Sequence, residues 1–149
     1  MTEGLALAGL LSIGRQEIDM TDCMERILSD YNKFEDGLLL SFKYFYDENN
    51  RLAVKAVLHG RNAMSESGSW DKVCIMISDV KELCVKVKGN TFNSIFHGVS
   101  ILREGAQLCM DIDGNYPMGQ APSTFEDVRR YGECYVIGGR IDLHKLPEE

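Results

Sequence analysis

The chain is poor in the residues that signal most catalytic and metal-binding chemistries. Of 149 residues, three are His, three Pro and one Trp. His59, His97 and His144 lie too far apart for an H-x-x-x-H pair, and the five cysteines (Cys23, Cys74, Cys84, Cys109 and Cys134) form no C-x-x-C. A zinc ribbon and a thioredoxin-like site are therefore not expected. There is no G-x-S-x-G elbow, no P-loop and no dinucleotide fingerprint, which removes the usual signatures of hydrolases and nucleotide enzymes. Asp111-Ile112-Asp113-Gly114-Asn115 starts like a calcium loop, but Tyr116 and Pro122 stand where such a loop needs Gly and Glu. Asp111 then reads as the outward residue of a strand and Asp113-Gly114 as its turn. No apolar run reaches the roughly 20 residues of a membrane span. The longest, Gly4 to Gly14, has only Glu3 as a charge before it, so no export signal is read. Internal repeats and low-complexity tracts are also missing.

What is present describes a single acidic domain. The length suits one domain, 44% of residues are apolar, and 23 acids against 16 bases leave a net charge of −7. That sign argues against direct nucleic-acid binding by phosphate neutralisation and suits a cationic protein partner. Most cysteines sit in apolar runs, as in Val73-Cys74-Ile75, and read as small buried hydrophobes in a reducing cytoplasm. Cys23, near a helix start, is the one thiol worth testing. No cofactor is expected. Met20 opens a self-contained pattern, so residues 20–143 read as the core and 1–19 as an N-terminal extension.

Met20, Cys23, Met24, Ile27, Leu28 and Tyr31 recur at three- and four-residue steps. They predict an amphipathic helix over Asp19 to Asn32, with Asp19 as N-cap. Alternation then predicts strands: Leu38 to Tyr46 with Leu38, Leu40, Phe42, Tyr44 and Tyr46 on one face, Leu52 to His59, Trp70 to Ser78 as a central strand, and Val80 to Lys88 as a lysine-protected edge strand. A hairpin over Val99 to Ile112 and one or two strands around Gly138-Gly139 complete the pattern, while Thr124 to Tyr131 reads as a short helix or an irregular edge. Placing Phe42 and Tyr44 opposite Ala56 and Val54 requires an odd number of loop residues in the first hairpin. The expected fold is α+β: the helix packed on a curved or two-layer, mostly antiparallel meander of six to eight strands.

Charge is unevenly placed. Glu17, Asp19, Asp22, Glu25, Asp30, Glu35 and Asp36 face only Arg26 and Lys33 as bases between Glu17 and Asp36, while residues 37–112 are nearly neutral. With Glu126 and Asp127 as a second patch, these acids are the candidate partner-binding residues, because complementary charge speeds association and orients a partner.

The helix leading into Phe34-Glu35-Asp36-Gly37-Leu38, the charged hairpin, and the run from Trp70 to Leu83 resemble small bacterial immunity-type proteins of polymorphic-toxin and contact-dependent growth inhibition systems. The resemblance spans residues 20–143 and is one of pattern. It implies a cytoplasmic, non-enzymatic protein that binds and neutralises a cognate toxin domain, often a cationic nuclease. Two alternatives stand beside it. One is a small enzyme or ligand-binding protein with a cupped sheet, in which His59, Trp70, Cys74, Tyr44 and Asp111 would converge. The other is a sheet-edge adaptor. Oligomeric state is left open.

Overall fold

Apolar alternation produces six strands, all paired antiparallel. They are β1 (Leu38–Tyr46), β2 (Leu52–Arg61), β3 (Trp70–Val85), β4 (Val99–Glu104), β5 (Gln107–Ile112) and β6 (Cys134–Lys145), in a computed structural model that describes residues 23–86, 88–89 and 93–147. Residues 23–30 are helical (α1) and Phe125–Tyr131 form a second helix, α2. The N-cap and first turn expected at Asp19 to Asp22 lie outside the described residues. The class is α+β, but the strand order β1-β2-β3-β6-β5-β4 is not a meander. The last strand enters beside β3, and the β4–β5 hairpin is attached to its far side.

The first hairpin obeys the parity argument. Phe42 faces Ala56 and Tyr44 faces Val54, and the strands are joined by the five residues 47–51. The Asp47 carboxylate closes this loop by accepting from the Asn49 and Arg51 N–H groups at 2.9 and 3.0 Å. The inward set of β1 differs from expectation. A bulge between Leu39 and Ser41 makes Leu40 an extra residue, so Leu39 rather than Leu40 joins Phe42 against the core. One inserted residue flips every side chain before it.

The expected edge strand from Val80 is the second half of β3. Asp79 turns the strand with φ 54°, the register slips between Val80 and Glu82, and pairing with β6 continues to Val85. Gly138 makes this kink possible. A Cβ there would lie 2.8 Å from Ile77 Cγ2 and 2.9 Å from the Ser78 carbonyl. β2 pairs with the first half of β3 and β5 with the first half of β6, so the two hairpins flank opposite halves of the β3–β6 ladder. Leu38 bridges Ser94, and Ile95 donates to the Gly37 carbonyl, which ties the approach to β4 onto β1 at one corner.

The inner face holds the main core. Met24 and Leu28 of α1 pack with Val54, Leu58, Ile75, Ile77, Val136 and Ile141. Truncating one such buried aliphatic side chain to Ala costs about 2–5 kcal/mol. The link from α1 to β1 is a left-handed turn in which Asn32, Lys33 and Phe34 have φ of 52°, 54° and 60°. Each non-glycine residue there costs about 1–3 kcal/mol, offset by packing. Phe34 is fully buried and stacks on Tyr31 with centroids 5.1 Å apart. Its ring lies so close to Gly60 that a Cβ would fall 2.6 Å from Cδ1. The Tyr31 hydroxyl donates to buried Asp71 at 2.7 Å, joining the turn to β3.

On the outer face, α2 covers β5 and the first half of β6, where Phe125 and Val128 pack on Cys109, Tyr135 and Ile137. Thr124 caps this helix by accepting from the Asp127 N–H at 3.0 Å.

Candidate functional site

The acidic residues separate into two kinds. Glu17, Asp19 and Asp22 lie outside the described residues. Glu25, Glu35 and Asp36 are exposed and Asp30 is half-buried along α1 and the turn after it, and their carboxylates make no hydrogen bond or ion pair with a described residue. Glu126 and Asp127 are engaged internally. Asp127 accepts from the Ser123 N–H and hydroxyl, both at 3.1 Å, and these bonds hold its carboxyl below the usual range. Glu126 pairs with Arg129 at 3.7 Å, and Arg129 is also held by Glu82 at 3.0 Å. Acids in the first turn of α2 serve its cap and dipole.

A cleft of about 240 Å³ opens between the left-handed turn, the approach to β4 and the loop after β5, lined by Lys33, Glu35, His97, Asp111, Tyr116 and Gln120 among others. Its walls include unusual backbone. Of the lining residues Lys33, Gly98 and Gly119 have φ of 54°, 85° and 69°, and Asp113 and Met118, next in the chain to lining residues, have φ of 58° and 57°. Sparsely populated conformations gather where the surrounding packing over-determines them, and functional sites are common such places. Gly98 is needed because a Cβ would stand 3.0 Å from the Lys33 carbonyl and because its φ is positive. The Asp113 carboxylate gathers the Phe96 and His97 N–H groups at 2.9 and 2.6 Å.

Asp111, expected to point outward to solvent, is 1% exposed. Its side chain does leave the outer face of β5, with Cys109, but the end of α2 and the loop to Tyr116 cover it. Oδ2 accepts from the Gly114 N–H at 3.2 Å, whereas Oδ1 and the Tyr116 hydroxyl are buried without a hydrogen-bond partner among the described residues. A Cβ on Gly132 would lie 2.9 Å from Oδ1. Burial pushes this carboxyl up to about 6; the Tyr116 hydroxyl, which lies close by without a well-formed hydrogen bond, and the Gly114 N–H oppose the shift, and Asp113 adds to it. A buried carboxylate with one oxygen left without a hydrogen bond is costly and binds N–H donors strongly when they reach it.

The five residues of the cupped-sheet alternative do not meet. His59 and Trp70 touch on the outer face with ring centroids 5.3 Å apart. Asp111 lies on β5 under α2, and Tyr44 is exposed on β1. Cys74, Cys109 and Cys134 are buried, Cys84 half-buried and Cys23 exposed, with no disulfide. Burial first of all pushes the Cys109 and Cys134 thiols up to about 12, away from nucleophilic use. Among the described residues no group of three or more His, Cys, Asp or Glu could hold a metal ion, and no helix is long and apolar enough to cross a membrane.

No protein-family model, no curated protein and no solved structure matches this chain.

Proposed function

We propose that this chain is a non-enzymatic, immunity-type protein that works in the cytoplasm by binding a cognate toxin domain of cationic character and masking it. The reading is carried by the exposed acids Glu25, Glu35 and Asp36, with half-buried Asp30, whose carboxylates make no hydrogen bond or ion pair with a described residue. Acids already tied into caps and ion pairs have less to offer a partner. A rigid turn between α1 and β1, held by buried Phe34, presents this surface in one shape and lowers the ordering cost of association. The test is co-expression with a toxin encoded beside it. Retention of that toxin, and association slowed roughly tenfold or more at low salt by Glu25→Lys, Glu35→Lys and Asp36→Lys together, are expected. Glu48→Lys, on the β1–β2 loop, should change the rate little. Failure to retain the toxin, or equal effects of the two kinds of charge reversal, would overturn the reading.

A second reading is favoured by Asp111 alone: a small-ligand site in the cleft, for compounds with a protonated amine or guanidinium. Thermal shifts with a panel of small amines and guanidines would test it. A shift that Asp111→Asn abolishes supports the site, and no shift at millimolar concentration removes it.

A further inference from the structure

The outer face of the sheet has a half that α2 does not cover, and its composition is opposite to that of the chain. Strand register places Lys43 directly across from Lys55, and His59 directly across from Lys72. Arg61 lies across from Trp70 at the end of the same face. Lys43, Arg61, Lys72 and Trp70 are exposed, and Lys55 and His59 are half-exposed. None of the three lysines, nor Arg61, forms an ion pair with a described residue. The acid of this face, Asp142, is neutralised by Arg140 at 2.9 Å. Neither hydrophobic cluster extends onto this surface. A net charge of −7 for the whole chain therefore conceals a cationic sheet face.

Like charges directly opposite each other on a sheet are destabilising, so the Lys43–Lys55 pair calls for an anion. We infer that this bare outer face binds a single-stranded nucleic acid, with the phosphates on Lys43, Lys55, Lys72 and Arg61 and a base stacked on Trp70. Three features favour that ligand over an acidic protein. Lysine is depleted from protein–protein interface centres, whereas here Lys55, paired with Met76, lies near the centre of the face, with Lys43 and Lys72 to either side of it. An exposed indole beside cations is the usual arrangement for sequence-tolerant single-strand binding. A broad sheet face also fits splayed bases better than the groove of a duplex. The chain-wide acidity does not oppose this, because exposed charges more than a Debye length apart, about 10 Å at 0.1 M salt, are largely screened.

Trp70 is the single tryptophan of the chain, so its fluorescence reports the site directly. The full chain is titrated at low salt with an oligothymidylate of about 20 nucleotides, and in parallel with polyglutamate of similar charge. Expected are quenching of Trp70 by oligothymidylate alone, and a log–log salt slope of about −2 to −3, as for three to four phosphate contacts on a single strand. Lys55→Glu with Lys72→Glu, checked for folding by circular dichroism, should weaken binding more than tenfold and flatten the slope by about 1.5. Trp70→Ala, followed with a labelled oligonucleotide, should cost about tenfold in affinity at an unchanged salt slope. Absence of quenching and of binding would overturn the inference, and so would polyglutamate binding equally tightly, which would mark the face as a dock for acidic protein.

Discussion

The outer face of one sheet has two halves that were given opposite chemistry. Over β5 and the start of β6 it carries Cys109, Tyr135 and Ile137, sealed beneath Phe125 and Val128 of α2. Over β1, β2 and the start of β3 it carries Lys43, Lys55, His59 and Lys72, and no described helix covers it. β3 and β6 run through both halves, and the kink at Asp79 and Gly138 marks the border. An alternating strand needs one apolar side for the inner core. Its other side is apolar only where something arrives to bury it. The helix that arrives is seven residues long and covers one half, and no other described helix lies over the second half.

The comparison can be broken most easily at α2. Phe125→Ala should cost about 3–5 kcal/mol in a urea melt, because the ring is buried in a small cluster that cannot collapse around the gap. Removing the bulkier but half-exposed Trp70 from the other half should cost less than about 1 kcal/mol, and comparable losses would mean that the two halves are equally covered. At the border, Gly138→Ala should destabilise by about 1–3 kcal/mol, since the added methyl meets Ile77 and the Ser78 carbonyl. The same change at Gly105, where a Cβ meets nothing within 4 Å but φ is 61°, should cost only the backbone strain.

Asp111 sharpens the comparison through pH. In the folded chain its carboxyl is pushed up to about 6, chiefly by burial, from an ordinary value of 3.8. Between those values the folded state binds more protons than the unfolded one. Stability therefore falls as pH rises through that window and stays lower above it. Asp111→Asn removes the charge but keeps an acceptor for Gly114. At about pH 7.5 it should be more stable than the parent by about 1–3 kcal/mol, and the gain should fade as pH drops below about 4. A gain independent of pH would show that the carboxylate is not the strained group. The smallest effect is expected on the bare half, where Lys55→Thr should raise stability by about 0.5 kcal/mol through relief of the Lys43–Lys55 repulsion, and more salt should shrink the difference.

Much of the local structure was legible residue by residue. The odd loop joining β1 to β2 followed from side-chain parity, and the helical stripe through Met24, Leu28 and Tyr31 is buried where residues 23 onward are described. The bulge at Leu40 was not legible, because Leu39 and Leu40 are equally apolar and only the pairing with Leu58 selects between them. The unity of β3 was hidden for a similar reason. Ser78-Asp79 resembles a turn, and it becomes a kink only because Gly138, far along the chain, allows β6 to approach. Asp111 was correctly placed on the outward side of its strand and wrongly exposed, since its cover comes from α2. Of the candidate acids, Glu25, Asp30, Glu35 and Asp36 make no side-chain bond with a described residue, while Asp127 and Glu126 are held by Ser123 and Arg129.

Most of the strand positions, the helical stripe from residue 23 onward, the parity of the first hairpin and the segregation of acids toward the N-terminal third follow from the sequence alone. All of these follow from periodicity and neighbouring residues, which act over a few bonds. The tertiary structure alone decided which sides of those strands are covered, that Asp111 is buried without a full set of partners, and that lysines from β1, β2 and β3 share one surface. Those outcomes depend on contacts between residues far apart in the chain, and a period of two says that a strand has two faces without saying what each will meet.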